Sequence, residues 1–80
     1  MIEVTNAISW TTSSFLEKQQ RVKRKGNLRW ISQDKSRYYE WDNLHGEIEV
    51  YNKKGKHLMI LNADGTLNNK KAIKGRTIDV

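Results

Sequence analysis

The chain has no cysteine and no proline. Without cysteine there are no disulfides, no thiol nucleophile and no cysteine-ligated zinc, which excludes a secreted disulfide scaffold, a thioredoxin-type site and a cysteine-ligated zinc finger. Long apolar runs are also missing. Nothing approaches the roughly 18 consecutive apolar residues of a spanning helix, and the amino terminus lacks the charged-then-apolar layout of a signal peptide, so no stable membrane insertion is expected. Hydrophobic residues make up only 36% of 80 residues. That suffices for one modest core and one domain. What the core does have is three Trp and three Tyr.

Negative charge is sparse and unevenly placed. Fifteen Lys and Arg face nine Asp and Glu, a net of +6, so an anionic partner is expected. Four of the acids, Glu40, Asp42, Glu47 and Glu49, fall within ten residues that contain no Lys or Arg. The other seventy residues then carry fifteen positive and five negative charges, a net of +10. A pure polyanion-binding module gains nothing from an acidic island, because it repels the ligand. Cleavage of RNA by its own 2′-hydroxyl does need such groups: a base for that proton, an acid for the leaving 5′-oxygen and a cation at the phosphate.

Along the chain, residues 1–12 hold Ile2, Val4, Ile8 and Trp10, a pattern that suits an arm or short strand. Ser14 and Glu17 have the spacing of a capping box, and the run to Lys25 ends at Gly26, which predicts a helix over 15–25. From Leu28 the period becomes two. Strands are predicted around Leu28–Trp30, Tyr38–Trp41, Glu47–Tyr51, His57–Leu61 and, as a fifth, Ile73–Ile78. Hairpin turns are expected at 52–55 and at Asp64-Gly65. The fold expected is α+β: a small, strongly twisted antiparallel β-sheet of four to five strands with a short N-terminal helix. Residues 1–26 form the arm and helix of that scheme and 27–80 the catalytic part of one compact unit.

His45 lies inside the acidic island. An unperturbed imidazole titrates near 6.5, and neighbouring carboxylates favour its protonated form, which suits a proton donor. On an extended strand His45, Glu47 and Glu49 share a face while Ile48 and Val50 point to the core. His45 and Glu49 would then lie about 13 Å apart, so acting on one phosphate requires a bend, for which Gly46 is the candidate. The same residues also fit a surface ion pair and an ordinary solvated strand face. Trp30 and Trp41 are assigned to the core, while Tyr39 and Tyr51 suit either core packing or base stacking. A zinc site on His45, His57 and carboxylates is disfavoured by the lack of close His spacing, and no metal or other cofactor is expected.

The segment from Tyr39 to Tyr51, Tyr-Glu-Trp-Asp-Asn-Leu-His-Gly-Glu-Ile-Glu-Val-Tyr, resembles the catalytic strand region of the ribosome-inactivating E-group colicins. That pattern is Tyr-Glu-Trp-Asp-x-x-His-Gly-Glu-x-Glu, and the likeness extends over about residues 28–80, through Gly55-Lys56-His57-Leu58 and Lys74-Gly75-Arg76. Similar nucleases end contact-dependent growth inhibition toxins, the setting that best suits a chain without colicin receptor-binding and translocation domains. The resemblance implies a toxin endoribonuclease that cuts small-subunit (16S) ribosomal RNA in the decoding site and blocks translation without a metal. By position it implies Glu49 as general base, His45 as general acid, Asp42 as the support of His45, Arg76 as the cation, and Glu47 in a supporting role. Lys53, Lys54, Lys56, Lys74 and Tyr39 are the residues expected to contact RNA. The partners implied are the ribosome and a cognate, acidic immunity protein; the domain is expected to be a monomer, exported within a larger protein and active in the cytoplasm of a target bacterium. Leu44 and Val50 depart from the colicin pattern, as does a carboxy terminus without prolines or a strongly basic tail. Two other readings stand beside this one: a non-catalytic basic RNA-binding module, and an interaction domain for an acidic protein.

Overall fold

Alternating apolar residues and glycine-bearing turns from residue 27 onward build a meander, and a computed structural model describes it over residues 7–80. The strands are β1 (Gln20–Arg24), β2 (Asn27–Ile31), β3 (Arg37–Asp42), β4 (Glu47–Asn52) and β5 (His57–Asn62). They form one antiparallel sheet in the order β1-β2-β3-β4-β5. A 3₁₀ turn at Trp10–Thr12 and one short helix, α1 (Ser14–Glu17), precede it. This is the expected α+β architecture, with turns at 52–55 and 62–66 where the sequence placed them. Residues 1–6, including Ile2 and Val4 of the expected arm, lie outside the described residues.

Two local expectations are corrected. The helix stops at Glu17 instead of running to Lys25, and its N-cap is Ser13, whose Oγ accepts from Leu16 N–H at 3.0 Å and donates to Ala63 O at 2.7 Å. Residues 20–24 are instead a strand paired residue for residue with β2. Lys25 (φ 51°) and Gly26 (φ 82°) form the two-residue hairpin turn between them. Ladder hydrogen bonds to β2 satisfy this backbone better than a helix with one thin apolar face would. The 26/27 division drawn from sequence falls inside that hairpin. The fifth strand is therefore β1, and the segment 73–78 forms no strand among the described residues, its one β-bridge being between Lys56 and Thr77.

The sheet has one apolar and one polar face because paired residues of adjacent strands project to the same side. Trp30, Tyr39, Ile48, Val50 and Leu61 form the apolar side, over which α1 places Leu16. Ile48 and Val50 are fully buried, each stabilising the fold by roughly 1.5–3 kcal/mol. Phe15 packs edge-on against Tyr39 and Trp10 against Trp30, so the amino-terminal segment closes this side. The carboxy-terminal segment covers the other: Asn68, Lys70, Ile73, Arg76 and Asp79 all bond to polar groups of the sheet.

Candidate active site

The register of β3 and β4 sets the acidic island in rows on the polar face. Asp42 pairs with Glu47, Glu40 with Glu49 and Tyr38 with Tyr51. At the head of these rows the chain turns through Asn43, Leu44, His45 and Gly46. Asp42 organises this turn: its Oδ1 accepts the N–H groups of Leu44 (3.0 Å) and His45 (3.2 Å), and its carbonyl accepts that of Gly46 (2.8 Å). His45 therefore sits in the turn, not on the extended strand assumed from sequence. The chain bends at Gly46, with φ +68°. A Cβ there would lie 2.9 Å from Ile8 Cδ1, so a side chain is opposed by backbone conformation and by contact.

His45 Nδ1 lies 2.7 Å from Asp42 Oδ2. Burial pushes the Asp42 carboxyl up, but hydrogen bonds from the His45 ring and from the backbone of His45 and Leu44 outweigh it and hold the group below its usual value. Asp42 is thus a carboxylate, and the proton between the pair sits on Nδ1. The ring is 53% exposed, and among the described residues nothing bonds its Nε2. Ile8 braces the turn by donating its N–H to Asn43 O (2.8 Å) and accepting from Trp41 Nε1 (2.7 Å).

Glu49 is held differently. Its Oε1 is 2.6 Å from His57 Nε2 and 3.0 Å from Arg76 Nη1. The His57 side chain is fully buried, and its Nδ1 accepts the N–H of Ile73 at 2.9 Å. A backbone N–H can only donate, so Nδ1 carries no proton and Nε2–H donates to Glu49. His57 is a neutral donor here, and Arg76 supplies the countercharge. Tyr51 stacks edge-on against His57; burial, then the nearby Glu40 carboxylate, push its phenol up.

Glu47 accepts from Asn68 Nδ2 (3.0 Å) and Lys70 Nζ (2.9 Å). Donor atoms of Asp42, His45 and Glu47 lie within 4.8 Å of one another, a spacing a metal ion would tolerate. Asp42 Oδ2 is bonded to the imidazole and both Glu47 oxygens to Asn68 and Lys70, which leaves His45 Nε2 as the one ligand atom of the set with no hydrogen bond among the described residues. The structure thus brings Asp42, His45 and Glu47 into one cluster and Glu49 and Arg76 into a second, joined by the strand Glu47–Asn52.

The model of the Cytotoxic family matches residues 11–79 of the chain. The chain belongs to the Cytotoxic family. This is a family of colicin-like toxin domains, and the match runs through β1 and across both clusters. No curated protein and no solved structure matched the chain.

In this Cytotoxic domain the lysines expected to meet RNA are all exposed, Lys53 and Lys54 on the β4–β5 turn, Lys56 immediately before β5 and Lys74 on the carboxy-terminal segment. Tyr39 is placed otherwise. It is 5% exposed in the apolar core against Phe15, and burial pushes its phenol up, so it stacks within the protein. Val50 is likewise a core residue, while Leu44 stands exposed at the tip of the His45 turn. Sequence reasoning missed His57, Ile8 and Arg29 as parts of the site. Arg29 is buried and bonds Glu40 Oε2 (3.3 Å) and Asp79 O (2.7 Å). In the sequence Arg29 is only a charge between Leu28 and Trp30 of an expected strand, and nothing there marks its contact with Glu40 or the bracing role of Ile8.

Proposed function

We propose that this toxin domain is an endoribonuclease acting on small-subunit ribosomal RNA by acid/base catalysis. One observation carries the reading: a buried carboxylate paired with an arginine on β4 and an exposed imidazole–carboxylate pair at the adjoining β3–β4 turn stand at one face of the sheet. Glu49 takes the 2′-hydroxyl proton, O2′ attacks phosphorus, and the bond to the 5′-oxygen breaks as protonated His45 donates from Nε2. Asp42 stabilises the imidazolium that makes this donation. Arg76 stabilises the added negative charge on the phosphate. The products are a 2′,3′-cyclic phosphate and a 5′-hydroxyl, and the internal nucleophile makes a metal unnecessary. Glu47 positions the cluster through Lys70, and Lys53, Lys54, Lys56 and Lys74 draw in the RNA backbone by charge.

The same reading takes the ribosome as target, in the decoding site, and an acidic immunity protein as inhibitor steered by the basic surface. It places the domain within a larger exported protein, acting in the cytoplasm of another bacterium. Purified chain incubated with intact ribosomes and with naked RNA, then sized on a gel, tests it. One discrete cut in ribosomes is expected, reduced about 10²–10⁴-fold by Glu49→Gln or His45→Ala. Salt-sensitive binding without any cut would make the domain an RNA-binding module instead.

A further inference from the structure

β2 and β3 pair only at Trp30–Tyr39 and Ile31–Tyr38, whereas β3 and β4 pair over six positions. Toward Asn27 and Asp42 the two strands therefore part. The gap is a cleft of about 400 Å³, within the roughly 300–1,000 Å³ range of small-ligand sites. Its walls include Trp10, Trp30 and Trp41, all three tryptophans of the chain. The Trp41 indole N–H is occupied by Ile8 O, and Arg21 lies 4.6 Å above the Trp10 ring. Rings so fixed present apolar surface with little freedom left to lose.

Polar groups line the same cleft. Glu40 borders it from the polar face, across the gap between the parted strands from the tryptophans, and is held on one oxygen by buried Arg29, while its other oxygen has no hydrogen bond among the described residues. Asn27 and Asn43, both exposed, complete the lining. The position matters as much as the chemistry. Glu40 is the cross-strand neighbour of Glu49, about 5 Å away at the backbone, and Asn43 follows Asp42 in the His45 turn. The cleft thus opens one strand away from the reacting groups, and the proposed mechanism leaves it unused.

We infer that this cleft holds one unpaired nucleobase of the RNA substrate, stacked against tryptophan with its amino edge donating to Glu40. Aromatic faces bind any base, and a carboxylate can only accept hydrogen bonds. Adenine, cytosine and guanine offer exocyclic amino donors, while uracil has none, and its one ring N–H donor is flanked by two carbonyl oxygens that repel a carboxylate. The cleft therefore selects an amino-bearing base over uracil beside the scissile phosphate. This rests on RNA being the substrate.

Nucleoside monophosphates, titrated into the 80-residue chain while tryptophan fluorescence is followed, test the assignment directly because every tryptophan lines the cleft. AMP, CMP and GMP should change the emission and UMP should bind about tenfold more weakly. Glu40→Gln should erase most of that preference, and Asn27→Phe, which places a ring at an exposed lining position, should abolish the signal. An unchanged emission, equal response to UMP, or an unaffected Glu40→Gln variant in a folded chain overturns the site. RNA cutting is read separately on gels. Cutting with no base response leaves the ribonuclease reading intact and removes the cleft, whereas base-selective binding without cutting does the reverse.

Discussion

The domain contains two histidine–carboxylate pairs of nearly equal length, Asp42–His45 at 2.7 Å and Glu49–His57 at 2.6 Å. Their surroundings differ. His45 projects from a turn with Nε2 facing solvent, whereas His57 is bonded at both nitrogens and fully buried. A ring with one nitrogen free can exchange a proton with a substrate; a ring with both nitrogens committed can only orient its partner. The carboxylates divide the opposite way. Asp42 spends its oxygens on the turn and the imidazole, while Glu49 stays beside Arg76, the cation at the proposed reaction centre. In the proposed mechanism the same pair of groups thus serves as an acid with its support in one place and as a base with its support in the other.

The largest effect that separates the pairs is on stability. His57→Ala removes a buried ring, leaves the Ile73 N–H without its acceptor and strips a donor from Glu49. A loss of about 2–4 kcal/mol is expected. For a domain of this size that lowers Tm by roughly 10–25 °C. His45→Ala should change stability by less than about 0.5 kcal/mol, since its ring is mostly exposed. Thermal melts of the two variants side by side measure this. Equal losses would show that the two histidines do not differ as their burial implies.

The contrast also explains what was legible in the sequence. Asp42 and His45 are three residues apart and meet through a local turn; the acidic island around His45 marked that residue, and the resemblance supplied Asp42 as its support. Glu49 and Arg76 are far apart in the chain, and Arg76 entered through resemblance to a family and not through any local signal. His57 depends on a bulge. Val50 pairs with Met59 but Tyr51 pairs with His57, and this slip brings the imidazole to the face where strict alternation would put Leu58. Periodicity cannot foresee such a slip. β1 failed for a related reason: Arg21, Val22 and Lys23 carry one apolar side chain among them, and only pairing with β2 identifies them as a strand. The strand Glu47–Asn52, with its alternating Glu47, Ile48, Glu49 and Val50, and the apolar run of His57–Asn62 were both expected to within one residue of their ends.

A smaller effect tests how firmly the exposed pair is held. Gly46→Ala places a Cβ on a residue with φ +68° and against Ile8, a cost of about 1–2 kcal/mol. The substitution should also disturb the turn that presents His45 while leaving the buried pair in place. In proton–nitrogen correlation spectra, the His45 ring and the Leu44 and His45 amides should shift, and the His57 ring should not. Gly55→Ala is the reciprocal experiment. Gly55 (φ +88°) accepts the Ile78 N–H, and a Cβ there would press on the Ile78 carbonyl. That displaces the carboxy-terminal segment carrying Ile73 and Arg76, so the spectral changes should move to His57. If both variants perturbed both rings equally, the pairs would form one cooperative unit and not two.

The smallest expected effect is the pH dependence of the exposed pair. Asp42 is held below its usual pKa in the folded state by the His45 ring and the turn amides. A carboxyl depressed on folding contributes its full stability above the unfolded value, about 3.9, and loses it as pH falls through the lower folded value. The wild-type melting temperature should therefore fall across this acid range with a slope to which Asp42 contributes. Asp42→Asn keeps the size of the side chain and removes the titration. Its melting curve should lie below the wild type at pH 6 and converge toward it as pH approaches 2. A constant gap across that range would mean that Asp42 stabilises the turn by shape alone, and that the imidazole beside it draws no electrostatic support from the carboxylate.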